Sequence, residues 1–348
     1  MMRAISVAPG QRSSARLDEV AEPPVDDGAV LVETLAIGVC GTDREIIEGS
    51  YGAAPNGRER LILGHESLGR VLEAPAEAGF SHGDHVVGIV RRPDPVPCLN
   101  CAVGEWDMCR NGRYTERGIK ERDGYASERF RIDPHYAVKV PPALARVAVL
   151  VEPASIVAKA WEHVEHIGRR ARWRPSRILV TGAGPIGLLA AMLGVQRGLD
   201  VHVLDRVSDG PKPQLVAAVG GEYHVGTVAK ACPDADVVFE CTGAPQLVLD
   251  AIAGTGRGGI VCLTGLSSGR HVVDLDAAAF NRALVLENDV VFGSVNANRR
   301  HYEAATDALA RADVDWLERL ITRRIPLTRW RDAFDPRPDD VKVVIDFR

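Results

Sequence analysis

The sequence predicts an α/β chain in which a β-rich, mostly antiparallel or barrel-like domain is interrupted by a doubly wound parallel sheet. Three observations predict it. A glycine-rich turn joins an apolar strand to a helix in Arg177-Ile-Leu-Val-Thr-Gly-Ala-Gly-Pro-Ile-Gly187. Strand and helix patterns alternate from about residue 156, as parallel sheets require. Residues 1–155 lack that alternation and carry short β-rich runs broken by Gly, Pro and Asp clusters.

In the first domain, 1–155, the clearest such runs are Ala29-Val-Leu-Val-Glu-Thr-Leu-Ala-Ile37 and His85-Val-Val-Gly-Ile-Val90. The second, 156–296, opens with a helical stretch, Ile156 to Arg169. Strands follow at 177–181, 201–204, 237–239, 259–263 and 290–292, with helical stretches between most of them. The tail, 297–348, reads as helices over His301–Arg311 and Val314–Thr322, then the strand-like Val341-Lys-Val-Val-Ile-Asp-Phe347. It is expected to return to the first domain.

The glycine turn predicts a dinucleotide site. Gly182, Gly184 and Gly187 have G-x-G-x-x-G spacing: the first turns the chain, the second admits a pyrophosphate, the third lets helix and strand pack closely. Pro185 and Ile186 complete the turn, and the anion would sit at the helix N-terminus. Asp205, ending the strand Val201-His-Val-Leu204, stands near the distance expected of an acid that binds the ribose hydroxyls. It would repel a 2′-phosphate, so NAD is expected to serve at least as well as NADP. Arg206 beside it partly offsets that charge, and Lys212 is too far along to assign.

Composition narrows the partners. A net charge of −5 over 348 residues gives no electrostatic case for nucleic acid or an anionic membrane. The N-terminus lacks the apolar core of a signal peptide. The most apolar stretch, Ile178 to Val195, is interrupted by glycines and a proline and is not a membrane span. Seven unevenly clustered cysteines do not make a disulfide framework. They suggest a reducing cytoplasm and metal ligation.

Cys40, His65, Glu66 and Glu152 are ligand types that Zn²⁺ takes. Taken singly, Cys40 also reads as a small buried residue, Glu66 as a surface acid and Glu152 as a helix N-terminal acid. A second group, Cys98-x-x-Cys101-x7-Cys109, supplies three thiolates, with Asp94 as a carboxylate nearby. Structural zinc and a metal-free loop are both open for it. Glu162-His-Val-Glu-His166 reads as the solvated face of an amphipathic helix.

Cys40-Gly-Thr-Asp43, Gly64-His-Glu66, Gly83-Asp-His-Val-Val87 and the glycine turn occur in an order that resembles the zinc-containing medium-chain alcohol dehydrogenase superfamily. The resemblance spans essentially the whole chain. Cys40-Gly-Thr-Asp-Arg-Glu-Ile46, Val90-Arg-Arg-Pro93, Asp107-Met-Cys109 and Thr115-Glu-Arg-Gly-Ile119 resemble its glucose 1-dehydrogenase branch. It implies a GroES-like catalytic domain, a Rossmann domain for NAD or NADP, and oxidation of D-glucose or other aldoses at C1 to the lactone. Carried over by position, Cys40, His65, Glu66 and Glu152 match the catalytic zinc site, with Glu66 and Glu152 alternating as substrate enters. Thr42 matches the hydroxyl that meets the substrate oxygen. Glu45, three residues later, could take its proton if the segment is helical.

Glu116 and Asn296 match sugar-contacting positions, and Thr264-Gly265-Leu266 and Ser294-Val295-Asn296 match segments bordering the nicotinamide. Oligomers are usual in the superfamily. Three positions depart from the pattern: Pro75 for a glycine, Pro95 for the first cysteine of a structural zinc lobe, and Ile156 for a sugar-contact carboxylate. A polyol, threonine or simple alcohol dehydrogenase would share this machinery. A zinc-less nucleotide-binding or redox-sensing protein is the alternative of another class, and the Cys40, His65, Glu66, Glu152 set argues against it.

Overall fold

Strand registers in the computed structural model, which describes residues 1–267, 269 and 271–348, build two compact units, each with its own sheet. The first comprises Met1–Ser155 and Asn296–Arg348, and the second Ile156–Val295. Asn296, placed by sequence at the end of the nucleotide domain, groups with the first unit.

Among the described residues, the main sheet of the first unit has seven strands. Ala137–Val140, His85–Gly88, Glu66–Glu73, Val30–Val39, Lys342–Asp346 and Ile321–Pro326 lie side by side in that order, and Arg129–Ile132 also pairs with Val30–Val39. All these pairs are antiparallel except the two strands of the tail. Val30 and Val32 and, beyond a register shift between Thr34 and Ala36, Ile37 and Val39 enter a core with Val71, Val86, Tyr125, Phe130, Val343 and Ile345. The predicted return of the tail is therefore a strand in the middle of this sheet: Val343 pairs with Val39 and Ile345 with Ile37. Pro75 starts the short 3-10 turn Ala76–Ala78 with φ −61°, which a proline ring favours.

The sheet of the second unit is parallel throughout, with the order Glu222–His224, Asp200–Leu204, Arg177–Thr181, Ala235–Glu240, Thr255–Leu263, Val290–Gly293. In chain order within the unit this is 3-2-1-4-5-6, the doubly wound order of dinucleotide-binding sheets. Five of these strands answer to runs legible in the sequence. Glu222–His224 does not, because Glu-Tyr-His has no apolar run and is extended only through pairing with its neighbour. Leu179, Leu204, Val238 and Val261 belong to one apolar cluster against the helical residues Val228, Ala251 and Ile252.

The helix Val151–Gly168 begins in the first unit, where it carries Glu152, and its residues from Ile156 on belong to the second. Among the described residues no helix is long and apolar enough to cross a membrane.

Candidate active site

The metal-type donors of the first unit come from two strand ends and a helix start. Cys40 ends the strand Val30–Val39 and caps the helix Gly41–Ile47: its sulfur accepts the Thr42 N–H at 3.3 Å, and its own N–H donates to Asp43 Oδ2 at 2.9 Å. His65 and Glu66 open the strand Glu66–Glu73. Sheet register sets Glu66 opposite Gly38, and a Cβ on Gly38 would stand 2.0 Å from Glu66 Oε2. A glycine there is what leaves room for the carboxylate.

One ligand atom each from Cys40, His65 and Glu66 lies within 4.8 Å of the others. Glu152 is outside that group, yet buried and close enough for its carboxyl to respond to His65, Glu66 and Lys342. Burial pushes it up to about 7, with Glu66 acting the same way and His65 and Lys342 opposing. His65 Nδ1 is 3.3 Å from Asp43 Oδ1, a charge contact without hydrogen-bond alignment. Burial works against a charged imidazole, but Asp43 and Cys40 outweigh it and raise His65 well above its usual range. The pocket thus concentrates negative charge on a buried imidazole backed by a carboxylate. Thiolate, imidazole and carboxylate in this spacing fit Zn²⁺, and Asp43 is the outer carboxylate that commonly orients a ligating histidine.

Lys342 is a member that sequence reasoning missed. Its Nζ donates to both oxygens of Glu66 at 2.7 Å and to the Val39 carbonyl at 3.2 Å, and all three partners are buried. The only sign of it was a lone cation inside the apolar run Val341-Lys-Val-Val-Ile345.

Glu116 and Asn296 meet in the same unit. Arg91 Nε and Nη2 donate to Glu116 Oε1 at 3.1 and 3.0 Å, and Asn296 Nδ2 donates to the same oxygen at 2.7 Å. All three donors fall on the one oxygen, Oε1. Asn296 holds a positive φ of 62°, which asparagine tolerates better than most residues. Arg91 lies in the Val90-Arg-Arg-Pro93 stretch, but nothing in the sequence paired it with Glu116. Thr42 and Glu45, both partly exposed, stand three apart on the helix Gly41–Ile47 and so share a side of it. Tyr51 lies near Glu116 and Glu45; burial, then Glu116, raises its phenol.

The sulfurs of Cys98, Cys101 and Cys109 also fall within 4.8 Å of one another. Backbone N–H groups of Arg110 and Cys101 pull the Cys98 thiol down to about 6, whereas burial pushes Cys101 up to about 11. Asp94 is not in this donor group. Its carboxylate accepts Val96 N–H at 2.8 Å, Asn111 Nδ2 at 2.9 Å and Arg113 Nε at 3.3 Å. Those donors engage its carboxylate in place of a metal.

In the second unit, Gly182 has φ +91° and donates to the Leu204 carbonyl at 2.7 Å. A Cβ on Gly187 would meet the Gly182 carbonyl at 1.8 Å, whereas one on Gly184 would meet nothing within 4 Å. Turn, close packing and open approach therefore fall on the three glycines as the spacing predicts. Pro185 and Ile186 start the helix Pro185–Gln196. Asp205 accepts Ala183 N–H at 2.7 Å, Val207 N–H at 3.2 Å and Lys212 Nζ at 3.0 Å. Its carboxyl lies below the usual range although burial alone would raise it, because these donors favour the charged form. Arg206 is exposed and Lys212 is the cation in contact, through the second residue of the helix Pro211–Val219.

Glu240, fully buried, accepts the Thr242 and Gly243 N–H groups, and its carbonyl accepts Thr264 and Gly265 N–H at 2.8 and 3.0 Å. It fixes the turn that carries Thr264, Gly265 and Leu266; Leu266 is exposed, as is Val295, while Ser294 is buried. Ile156, partly exposed, brings no polar group, and His166 is exposed and outside the donor groups.

Residues 145–347 match the family described as glucose dehydrogenase C-terminus, and residues 26–142 the alcohol dehydrogenase GroES-like domain. The chain belongs to the glucose 1-dehydrogenase family. Within that family it is 40% identical over 356 residues to a glucose 1-dehydrogenase of Methanocella arvoryzae, covering 99% of both chains. It is 41% identical over 350 residues to one of Thermoproteus tenax, again covering 99% of both. A glucose dehydrogenase of Haloferax mediterranei, solved in complex with NADP, Zn and gluconolactone, superposes with a TM-score of 0.91 at 34% identity over 100% of this chain and 99% of that one. The chain is thus a zinc-dependent NAD(P) dehydrogenase of the medium-chain superfamily, with a GroES-like domain and a Rossmann-like sheet.

Lys342 neutralises Glu66 in this structure, and a metal ion held by Glu66 would compete with it for the carboxylate. Replacing Lys342 by Met leaves Glu66 buried and unpaired, which is expected to cost the metal-free protein about 3–5 kcal/mol. The same change is expected to tighten zinc binding about tenfold or more, equivalent to about 1.4 kcal/mol. Thermal melting with and without chelator, and chelator competition, would measure both. Equal losses in the two forms would contradict this role.

Proposed function

We propose that this chain oxidises D-glucose at C1 to the lactone, passing a hydride to NAD or NADP in a zinc-dependent reaction. The observation that carries the reading is the buried Cys40, His65, Glu66 donor group in a chain 40% identical along its whole length to a glucose 1-dehydrogenase. The reaction balances as D-glucose plus oxidised nicotinamide giving gluconolactone, reduced nicotinamide and one proton. Bound zinc supplies Lewis acidity that makes the C1 hydroxyl a stronger acid, and bound nicotinamide accepts the hydride.

The remaining work falls to the chain's own groups. Cys40, His65 and Glu66, with Glu152 beside them, hold the ion. The Thr42 hydroxyl, which can accept one proton while donating another, takes the proton of the C1 hydroxyl and passes it on. Glu45, on the same side of the helix, receives it. Glu116 Oε2 accepts a sugar hydroxyl while Arg91 and Asn296 hold Oε1, so the carboxylate is oriented before the sugar arrives. Gly182, Gly184 and Gly187 make the pyrophosphate turn, and Asp205 takes the ribose hydroxyls. Thr264, Gly265, Leu266, Ser294 and Val295 border the nicotinamide. Cys98, Cys101 and Cys109 hold a second, structural zinc, for which their sulfur spacing and the Cys98 thiol at about 6 are the support.

Asp205 supports NAD at least as well as NADP. Lys212, in contact with it, tempers the repulsion of a 2′-phosphate. A homo-oligomer built through the second unit is the further reading. Among the described residues its strand Val290–Gly293 ends the sheet with one side unpaired, and the neighbouring helix Ala277–Glu287 buries none of its residues and exposes Val285 and Leu286. An unpaired edge beside an apolar helix face is a surface that another copy would cover. The free cysteines, three of them in mutual contact range, support a reducing cytoplasmic setting.

Steady-state turnover of glucose, galactose, xylose, sorbitol, threonine and short alcohols, with each cofactor and before and after chelation, tests the reading. Aldose oxidation lost on chelation and on Cys40→Ala is expected; chelator-insensitive turnover, or sorbitol or threonine outrunning every aldose, would overturn it. In the same assay Lys212→Ala is expected to lower kcat/KM with NADP relative to NAD about tenfold, or about 1.4 kcal/mol. Sedimentation equilibrium is expected to give a dimer or tetramer, and Leu286→Lys to weaken it; a monomer at micromolar concentration would refute the oligomer.

A further inference from the structure

The outer edge of the parallel sheet carries a group of metal-type donors that the dehydrogenase reaction does not use. Along Asp200–Leu204 the buried residues Val201 and Val203 alternate with Asp200 and His202, so the two polar side chains leave the same face. Parallel register sets His202 beside Glu222 and Leu204 beside His224. Glu222 and His224, two apart on their strand, therefore share that face with His202.

The side chains converge. His202 Nδ1 lies 2.9 Å from His224 Nε2. Glu222 places one carboxylate oxygen 3.8 Å from His202 Nδ1 and the other 3.7 Å from His224 Nε2. One ligand atom of each residue falls within 4.8 Å of the rest. On the far side of its ring, His202 Nε2 is 3.1 Å from Asp200 Oδ2.

That last contact decides what the ring can do. An ionised carboxylate only accepts hydrogen bonds. Nε2 of His202 therefore carries the hydrogen, and Nδ1 presents its lone pair toward His224. A carboxylate behind an imidazole whose other nitrogen is free is the arrangement that orients ligating histidines.

We propose that His202, His224 and Glu222 form a further divalent-metal site at the sheet edge, with Asp200 positioning His202 from behind. Two imidazoles and one carboxylate select a borderline ion such as Zn²⁺ over Mg²⁺ or Ca²⁺, which take oxygen ligands. Ligand atoms around a tetrahedral zinc, bound at about 2.0–2.1 Å, stand on the order of 3.3 Å apart. The two imidazole nitrogens stand 2.9 Å apart, and each has a different Glu222 oxygen 3.8 or 3.7 Å away, so side-chain rotation would bring one oxygen to both. The imidazoles are largely covered, at 13% and 18% exposure, while Glu222 is 67% exposed and gives the ion a way in. A bound ion would also bridge two strands at the point where Asp205 N–H donates to the His224 carbonyl, at 3.1 Å.

Zinc counted by equilibrium dialysis of the full-length holoenzyme against micromolar free Zn²⁺, followed by elemental analysis, tests the site. Wild-type protein is expected to hold one more zinc per chain than His202→Gln or His224→Gln, with kcat for glucose unchanged. Asp200→Asn is expected to weaken that ion about tenfold or more. The exposed Glu222→Gln, which does not threaten folding, is expected to weaken it similarly and keeps the test valid should an imidazole variant fold poorly. Zinc at the active site or the cysteine group is common to all these proteins and cancels in the comparison. The same zinc count and affinity in wild type, His202→Gln and Glu222→Gln would overturn the proposal.

Discussion

The pair formed by Lys342 and Glu66 is the constraint on which the first unit depends. Neither side chain is more than 3% exposed, and an ion buried without its partner costs several kcal/mol. The pair therefore fixes two things at once. It ties the tail strand Lys342–Asp346 to the interior strand Glu66–Glu73 across the intervening Val30–Val39, and it holds a carboxylate beside Cys40 and His65. A strand of apolar residues could have slipped in register with little loss of burial. A lysine whose ammonium must reach Glu66 and the Val39 carbonyl cannot.

The same logic explains why the neighbourhood tolerates so many ionisable groups. Cys40, Asp43, His65, Glu66, Glu152 and Lys342 each influence the titration of at least one other member of the set. Cationic and anionic forms are interleaved, so each charge meets an opposite one, and His65 is drawn up by Asp43 and Cys40 while burial drives Glu152 to about 7. A dication brings more positive charge than a proton to the same ligands. The donor set is suited to that exchange because a thiol, an imidazole and carboxylates can all surrender protons to a metal.

How much of this was legible in the sequence follows from how local each cause is. The glycine turn was readable because its requirements are met by the residue itself: a left-handed φ at Gly182, no room for a Cβ at Gly187, open space at Gly184. Cys40, His65 and Glu66 were readable by type and by resemblance to a family. Their partner Lys342 was not, since it comes from 276 residues beyond Glu66 and only the tail's strand pairing brings it in. The strand Glu222–His224 escaped notice because its extension is imposed by a neighbour, and with it went the His202, Glu222, His224 group. Asp94 shows what spacing does not carry. Its position suggested a ligand, but its orientation is set by Asn111 and Arg113, and side-chain competition of that kind leaves no trace in spacing.

A comparable competition between charges surrounds Asp205. Asp205 is held ionised by two backbone N–H groups and by Lys212, even though it is half-buried. An ionised acid at a strand end both accepts ribose hydroxyls and repels a phosphate, which alone would exclude NADP. A lysine 3.0 Å away changes the balance, because the field a 2′-phosphate meets is that of the pair and not of the carboxylate alone. The sequence offered Arg206 for this role because it is adjacent, yet adjacency along an extended strand end sends its side chain to solvent. Lys212 reaches Asp205 because the intervening residues turn back and start a helix at Pro211, which places the second helical residue over the strand end it has just left. The net charge at this strand end is therefore a property of that turn as much as of the acid itself.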